Sequence, residues 1–166
     1  MTTLRRMSEE EFLNYNDFSI VAYAKEKVAA GNWTEDEALE KARTTHAELL
    51  PDGRDTENQF LYTILSEKGE NAGSLWICKQ SSDKAFIYDI RISDEHQGQG
   101  HGKNAMRLAE EEARKIGVQK IGLHVFGHNT VARKLYESLS YKTTNVKMEK
   151  DIHPGNDEEK PKRTLD

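Results

Sequence analysis

The chain has 166 residues, with 24 basic and 29 acidic side chains and a net charge of −5. That length suits one domain with its own core, and the acidic balance argues against a broadly basic nucleic-acid surface. Cys78 is the single cysteine, so no intrachain disulfide can form, which fits a reducing cytoplasm. The opening MTTLRRMSEEEF lacks the apolar stretch of a secretory signal, and no apolar run approaches the ~18 residues of a membrane span. A soluble cytoplasmic protein with no nucleic-acid or membrane partner is expected.

Met1 to Met7 reads as a short first strand. Ser8 followed by Glu11 is a capping-box pattern, and Phe12, Tyr15, Ile20, Ala24 and Val28 form a helical stripe ending near Gly31. Thr34-Glu35-Asp36-Glu37 repeats the cap signal before a second helix carrying Ala38, Leu39, Ala42, Leu49 and Leu50, which Pro51 stops. Residues 52–58 form a polar loop. Three runs follow with short turns between them: Phe60 to Leu65, Gly73 to Lys79 and Ala85 to Ile92. They predict an antiparallel meander. Gly102 to Ile116 reads as a helix closed by Gly117, Gln119 to Phe126 as a strand, Asn129 to Leu139 as a helix, and Tyr141 to Met148 as a last strand. The order is β-α-α-β-β-β-α-β-α-β, a mixed α/β sheet that begins antiparallel and later takes a parallel crossover. A single domain is expected over residues 1–150, with a flexible tail over 151–166, where Pro, Gly and charge dominate.

The turn Gln97-Gly98-Gln99-Gly100-His101-Gly102 lies between a strand and a helix, with glycine at every second position. Glycine permits positive φ and close approach of a ligand to the backbone. The first amides of the helix lack internal partners and, with the helix dipole, suit a phosphate. His101 and Lys103 could add positive charge. A Walker A loop is excluded because the spacing to Lys103 is one residue short and Asn104 stands where the hydroxyl should be. A dinucleotide fingerprint is excluded because Gly102, not residue 103, carries the third glycine, and antiparallel strands precede it. A glycine-rich helix entry without a ligand is the remaining alternative.

The same turn resembles the Gln/Arg-x-x-Gly-x-Gly/Ala loop of the GNAT superfamily of N-acetyltransferases. A second stretch strengthens the resemblance: Asn129, then Ala132-Arg133-Lys134-Leu135-Tyr136-Glu137-Ser138-Leu139-Ser140-Tyr141. It is similar to the family's Asn-x-x-Ala-x-x-Leu-Tyr-Glu-x-x-Gly-Phe segment, with Ser140 for Gly and Tyr141 for Phe. The resemblance implies a GNAT-like, mostly antiparallel mixed sheet flanked by helices, with a splayed central strand pair. It also implies acetyl-CoA as cosubstrate and transfer to a primary amine in a ternary complex. The pyrophosphate would lie on Gln97, Gly98, Gln99, Gly100, His101, Gly102 and Lys103. The pantetheine arm would pair with the backbone of Ile90, Arg91 and Ile92, as an added strand does, and an amide there could polarise the acetyl carbonyl.

Tyr136 matches the family tyrosine that assists the leaving thiolate, and packing on the helix face is the plainer reading. Asn129 could bond the pantetheine arm or serve as an N-cap. Asp89 is the best-placed acid for taking the acceptor's proton, and it alternates with Arg91 on a face opposite Tyr88, Ile90 and Ile92. Local polar contact between Asp89 and Arg91 is the alternative, and Glu10, Glu11 or Glu26 could serve instead. His124 and His128 have no carboxylate to complete a metal set, so no metal is expected. Cys78 reads as a core residue, and Trp33 as a packing residue, with lining of an acceptor pocket as the alternative. The acceptor stays open between a small amine and a peptide or protein amine, as does a homodimer. The rival function is a domain of the same fold that binds acyl-CoA without turnover.

Overall fold

The computed structural model describes residues 1–153. The chain divides into one compact unit from Met1 to His124 and a second that begins at Val125. The first unit contains β1 (Thr3–Arg6), α1 (Glu9–Ala29), α2 (Glu35–Leu49), β2 (Gln59–Leu65), β3 (Asn71–Lys79), β4 (Lys84–Ile92), α3 (His101–Ile116) and β5 (Lys120–Leu123). Short 3₁₀ turns cover Gly53–Asp55 and Asp94–His96. The second unit contains α4 (Thr130–Ser138). Among the described residues, no helix is long and apolar enough to cross a membrane.

Local signals set the helix ends. The Glu11 amide donates to Ser8 Oγ at 3.1 Å and the Ser8 amide to Glu11 Oε1 at 2.9 Å, which completes the capping box of α1. At α2 the Thr34 amide donates to Glu37 Oε1 at 3.1 Å. Leu50 then leaves helical geometry ahead of Pro51, as the residue before a proline must.

The sheet order is β1-β2-β3-β4-β5, antiparallel until β4 meets β5 in parallel, with α3 as the crossover. Register assigns the two faces. Leu61, Trp76 and Asp89 align across β2, β3 and β4, and Leu61 and Trp76 pack with Met7, Phe12 and Leu50 on the side of α1 and α2. Tyr62, Leu75 and Ile90 align on the opposite face, where Tyr62 Oη donates to Glu112 of α3 at 3.1 Å. Small residues, Ala24, Ala38 and Ala42, pack with Ile20 between α1 and α2. Ala105, Ala109 and Ala113 do the same for α3, all buried. Short side chains let helix backbones approach closely, and Met106, fully buried, fills the remaining depth.

Three expectations change. Strand β5 covers Lys120–Leu123, not the whole of Gln119 to Phe126, because its pairing with β4 stops at Ile87↔Leu123. Tyr88 does not share a face with Ile90 and Ile92. The register passes from Ile77↔Ile87 to Trp76↔Asp89, so Tyr88 is an extra residue in β4. Such a bulge bends its strand and re-aims a side chain, and the Tyr88 ring lies 4.9 Å from Trp76 and 5.7 Å from Phe86. Finally, Tyr141 to Met148 is not a strand. Val146 and Met148 alternate as a strand would, yet both are exposed and no ladder partner faces them among the described residues. The expected tail lies, from residue 154 on, outside the described residues.

Candidate active site

Strand β4 runs to Ile92, but β5 accompanies it only as far as Ile87. From Tyr88 onward no strand among the described residues pairs with β4 on that side. The bulge at Tyr88 marks the point of divergence. On the other side β3 stays paired to the end, and it can do so because Gly73 stands opposite Ile92. A Cβ on Gly73 would sit 2.0 Å from the Arg91 carbonyl oxygen, so any side chain there would force the strands apart. The sequence thus keeps β4 fixed along one edge and open along the other, the geometry expected for Ile90, Arg91 and Ile92.

The glycine turn follows. Gln97 Nε2 donates to the Ile92 carbonyl at 3.1 Å and to Asp94 Oδ1 at 3.2 Å, tying the turn to the strand end. Gln99 Nε2 donates to the Glu95 carbonyl at 3.2 Å. Gly98 and Gly100 have φ of 75° and 84°, a conformation in which a Cβ is strained, and Gly100 is the N-cap of α3. No side chain caps α3 and no acid lies in its first turn, whereas α1 opens with Glu9, Glu10 and Glu11 and α2 with Glu35, Asp36 and Glu37. The amides of His101, Gly102 and Lys103 donate to no protein group among the described residues. The positive end of the α3 dipole is therefore uncompensated by the protein, as an anion site requires. Lys103 is exposed.

His101 departs from its expected role. Its side chain is buried, with Nδ1 3.0 Å from Thr2 Oγ1, and its ring meets His96 edge-on at 5.8 Å. The side chain is engaged with Thr2 and His96, which leaves the backbone amide as its donor at the turn. His96 is itself placed by Ser93 Oγ at 2.8 Å from Nδ1 and by Glu70 at 3.4 Å from Nε2.

Asp89 also differs. Tyr15 Oη donates to its Oδ2 at 2.8 Å, and Arg91 Nε lies 3.2 Å from Oδ1 and 3.0 Å from Oδ2. Most of its acceptor capacity is engaged, so it is an anchor between α1 and β4 and a poor candidate for removing a proton. Arg91 in turn lies over the Phe18 ring at 5.0 Å. Burial first, then the Asp89 charge, pushes the Tyr15 phenol far above its ordinary pKa. Glu11 is committed as well. Burial raises its carboxyl, but hydrogen bonds from Ser8, Thr63 and Arg5 together hold it below the usual range. Cys78 is buried and its thiol is pushed up by burial, the state of an inert core cysteine.

In the second unit, Asn129 caps α4 by accepting from the Ala132 amide at 3.2 Å. Tyr136 lies in the last turn of α4. There the Tyr141 amide donates to the Tyr136 carbonyl and the Ser140 amide to Glu137, each at 3.0 Å. This is a Schellman closure, and the 6.0 Å contact of the Tyr136 and Tyr141 rings is the apolar contact that accompanies it. Ser140 has φ of 70°, which explains why glycine suits that position.

Sequence reasoning missed Thr2, Tyr15 and His96. None belongs to a motif, and their partners lie 99, 74 and 26 residues away.

A mixed sheet that opens beside its central strand, followed by a glycine turn and an uncapped helix, can receive an extended ligand with a phosphate at one end. Comparison with known proteins agrees with that class of fold. Residues 22–141 match the model of the acetyltransferase (GNAT) family, and the chain belongs to that family. It is 35% identical to the N-acetyltransferase YdgE of Bacillus subtilis over 153 residues, 90% of this chain and 98% of that one. It is 36% identical to the N-acetyltransferase YycN of the same organism, over 90% of this chain and 97% of YycN. The crystal structure of YycN matches with a TM-score of 0.83, covering 92% of this chain and 99% of its own. A structure of AAC(6')-Iy with the bisubstrate analogue CoA-S-monomethyl-acetylneamine shares the fold, at a TM-score of 0.57 and 13% identity over 92% of this chain and 99% of that one.

Proposed function

We propose that this acetyltransferase uses acetyl-CoA to acetylate a primary amine by direct attack, and that it works in the cytoplasm. The observation that carries the reading is the uncapped, acid-free N-terminus of α3 behind Gly98 and Gly100, at the end of a strand with one open edge. The pyrophosphate accepts from the amides around Gly100 and Gly102, with Lys103 as an outer charge. The pantetheine amides add to the open edge of Ile90, Arg91 and Ile92, a strand-addition mode. Backbone binding of this kind leaves Ile90 and Ile92 free to pack.

The amine nitrogen attacks the thioester carbonyl carbon. The C–N bond forms, the C–S bond breaks, one N–H proton leaves the nitrogen and the thiolate takes up a proton, and the oxyanion formed on the way is stabilised by an amide near the bulge. Tyr136, on its match to the family segment, donates a hydrogen bond to the departing thiolate. Asn129 is assigned to the pantetheine arm through the part of its amide not used in the cap. Asp89 and Arg91 hold β4 against α1. No covalent enzyme intermediate is required, since alignment of two bound reactants supplies much of the acceleration. The acceptor is a small amine or a peptide or protein amine.

Calorimetry with acetyl-CoA, followed by thiol release over a panel of amines, tests the reading. Absence of acetyl-CoA binding by folded protein would refute it. Tight binding with no transfer to small amines, peptides or proteins would favour the acyl-CoA-binding alternative.

A further inference from the structure

The layer between α1, α2 and the sheet holds an imidazole that the chemistry above does not use. His46, in the last turn of α2, is 7% exposed. Its Nδ1 lies 3.1 Å from the Ala42 carbonyl oxygen. A carbonyl only accepts, so Nδ1 carries the proton of the neutral ring and Nε2 presents a lone pair. Nε2 has no hydrogen-bond partner among the described residues. Asn16 Oδ1, on α1, is buried and has no hydrogen-bond partner among the described residues. Buried polar atoms are almost always paired in folded proteins, so the unmet Asn16 Oδ1 and the bare Nε2 leave polar capacity unused in the layer between the helices and the sheet.

The position of the ring connects it to the strand opening. His46 lies 6.1 Å from Trp76 and 5.7 Å from Tyr23, measured between ring centres. Trp76 stands directly opposite Asp89 across β3 and β4, and meets the bulge residue Tyr88 at 4.9 Å. One aromatic ring therefore separates His46 from the point where β4 leaves β5. Tyr23 and Trp76 both contact the imidazole, and aromatic faces favour a cationic group.

We infer that His46 is the proton acceptor for the substrate amine, taking its proton on Nε2 directly or over one water. The inference rests on the acetyl-transfer reading. The ammonium donates a hydrogen bond to Nε2, the N–H bond breaks, and the ring becomes imidazolium. The freed lone pair forms the C–N bond, the C–S bond breaks, the sulfur leaves with its electron pair, and the second proton shed by the nitrogen passes to that sulfur, giving the amide and the free thiol. The imidazolium then returns its proton to solvent. Tyr23 and Tyr15 of α1 and Asp89, Tyr88 and the charged Arg91 of β4 are the titratable and charged groups on this side. The facing residue of β3, Trp76, does not titrate, and on α2 itself the contact is the Ala42 carbonyl. Burial, the largest influence, pulls the His46 pKa down, against the Ala42 contact and the Asp89 charge. The ring is therefore neutral near pH 7, as a proton acceptor must be.

The test compares the wild-type chain with His46→Gln in thiol release from acetyl-CoA, using butylamine as the probe amine. The expected result is a loss of roughly 10²-fold in kcat, an unchanged KM for acetyl-CoA, and disappearance of the acidic limb below about pH 6.5. Nitrogen-15 NMR of the wild-type histidines supplies a readout that needs neither turnover nor a folded variant. The bare Nε2 resonance of His46 should move when butylamine is added to the acetyl-CoA complex. No movement, or a variant that keeps the wild-type rate and acidic limb, overturns the inference. If the wild-type chain does not bind acetyl-CoA by calorimetry, the acetyl-transfer reading itself fails. Binding and transfer with a neutral His46→Gln variant remove only the role of His46.

Discussion

Gly100→Ala separates the conformational demand of the glycine turn from its use in binding. Gly100 has φ of 84°, and a Cβ there would meet nothing within 4 Å, so the substitution creates strain without a clash. Left-handed backbone costs an ordinary L-residue about 1–2 kcal/mol. Alanine recovers part of this, about 0.5–1 kcal/mol, by restricting the unfolded chain. The net loss is about 1 kcal/mol, or a fall of roughly 2–4 °C in Tm for a chain of this size. Gly117, at the other end of α3, is the matched control: its φ is 93° and its Cβ position is also open. Gly117→Ala should cost the same stability. Only Gly100→Ala should weaken acetyl-CoA, because relief of its strain turns the first amides of α3 away from the phosphate. Losing even one charge-assisted hydrogen bond costs about 1.5–3 kcal/mol, roughly a 10- to 100-fold rise in Kd. Thermal unfolding and calorimetry on both variants give the comparison. Equal acetyl-CoA affinity in the two, each matching the wild type, would refute the assignment of the turn.

The other predictions address the second unit and the buried imidazole. Tyr136→Phe should lower kcat by about 10- to 100-fold, the worth of a hydrogen bond to a charged sulfur, with KM for acetyl-CoA nearly unchanged. A phenol near pKa 10 is a weaker acid than a thiol near 8.5, so a much larger loss in steady-state kinetics would contradict simple hydrogen bonding. Ser140→Gly should stabilise the closure of α4, since glycine accepts φ of 70° without strain; a gain of about 0.5–1 kcal/mol in urea unfolding is expected. His46 has its pKa lowered by burial, so between that pKa and the ordinary value near 6.5 the unfolded chain binds more protons. Stability should therefore fall as pH drops through about 6.5, at no more than about 1.4 kcal/mol per pH unit. His46→Gln should flatten that slope in urea titrations at several pH values.

What the sequence revealed follows the range of each interaction. The capping box at Ser8 and Glu11, the stop at Pro51 and the cap at Asn129 are decided within a few residues, and they were legible. The glycine turn was legible for the same reason, since its backbone demand falls on consecutive positions. The bulge at Tyr88 was not, because it exists only in the register between β3 and β4, and plain alternation put Tyr88 on the wrong face. The contacts of Tyr15 with Asp89 and of Thr2 with His101 span most of the first unit and leave no local trace. His46 did leave one: it continues the four-residue spacing of Ala38 and Ala42 along the buried stripe of α2. A histidine on such a stripe carries a question about its second nitrogen that the apolar pattern alone does not raise.

The bulge joins the two halves of the first unit's chemistry. Without the extra residue, β4 would keep its register with β3 and its alternation would continue, with Tyr88 on the α3 face. With it, the strand turns away from β5 after Ile87, which exposes the backbone of Ile90 to Ile92 on one side. The same turn brings the Tyr88 ring against Trp76, which also meets His46. A ligand strand lying along the open edge would thus have its reactive end where the aromatic wall begins. Gly73 supports this arrangement from the far side of β4, since only a residue without a side chain lets β3 follow the strand to Ile92. On the proposed reading, one inserted residue therefore serves both the edge offered to a cofactor arm and the aromatic contact beside it. In a sheet paired along its full length the two would fall on different strands.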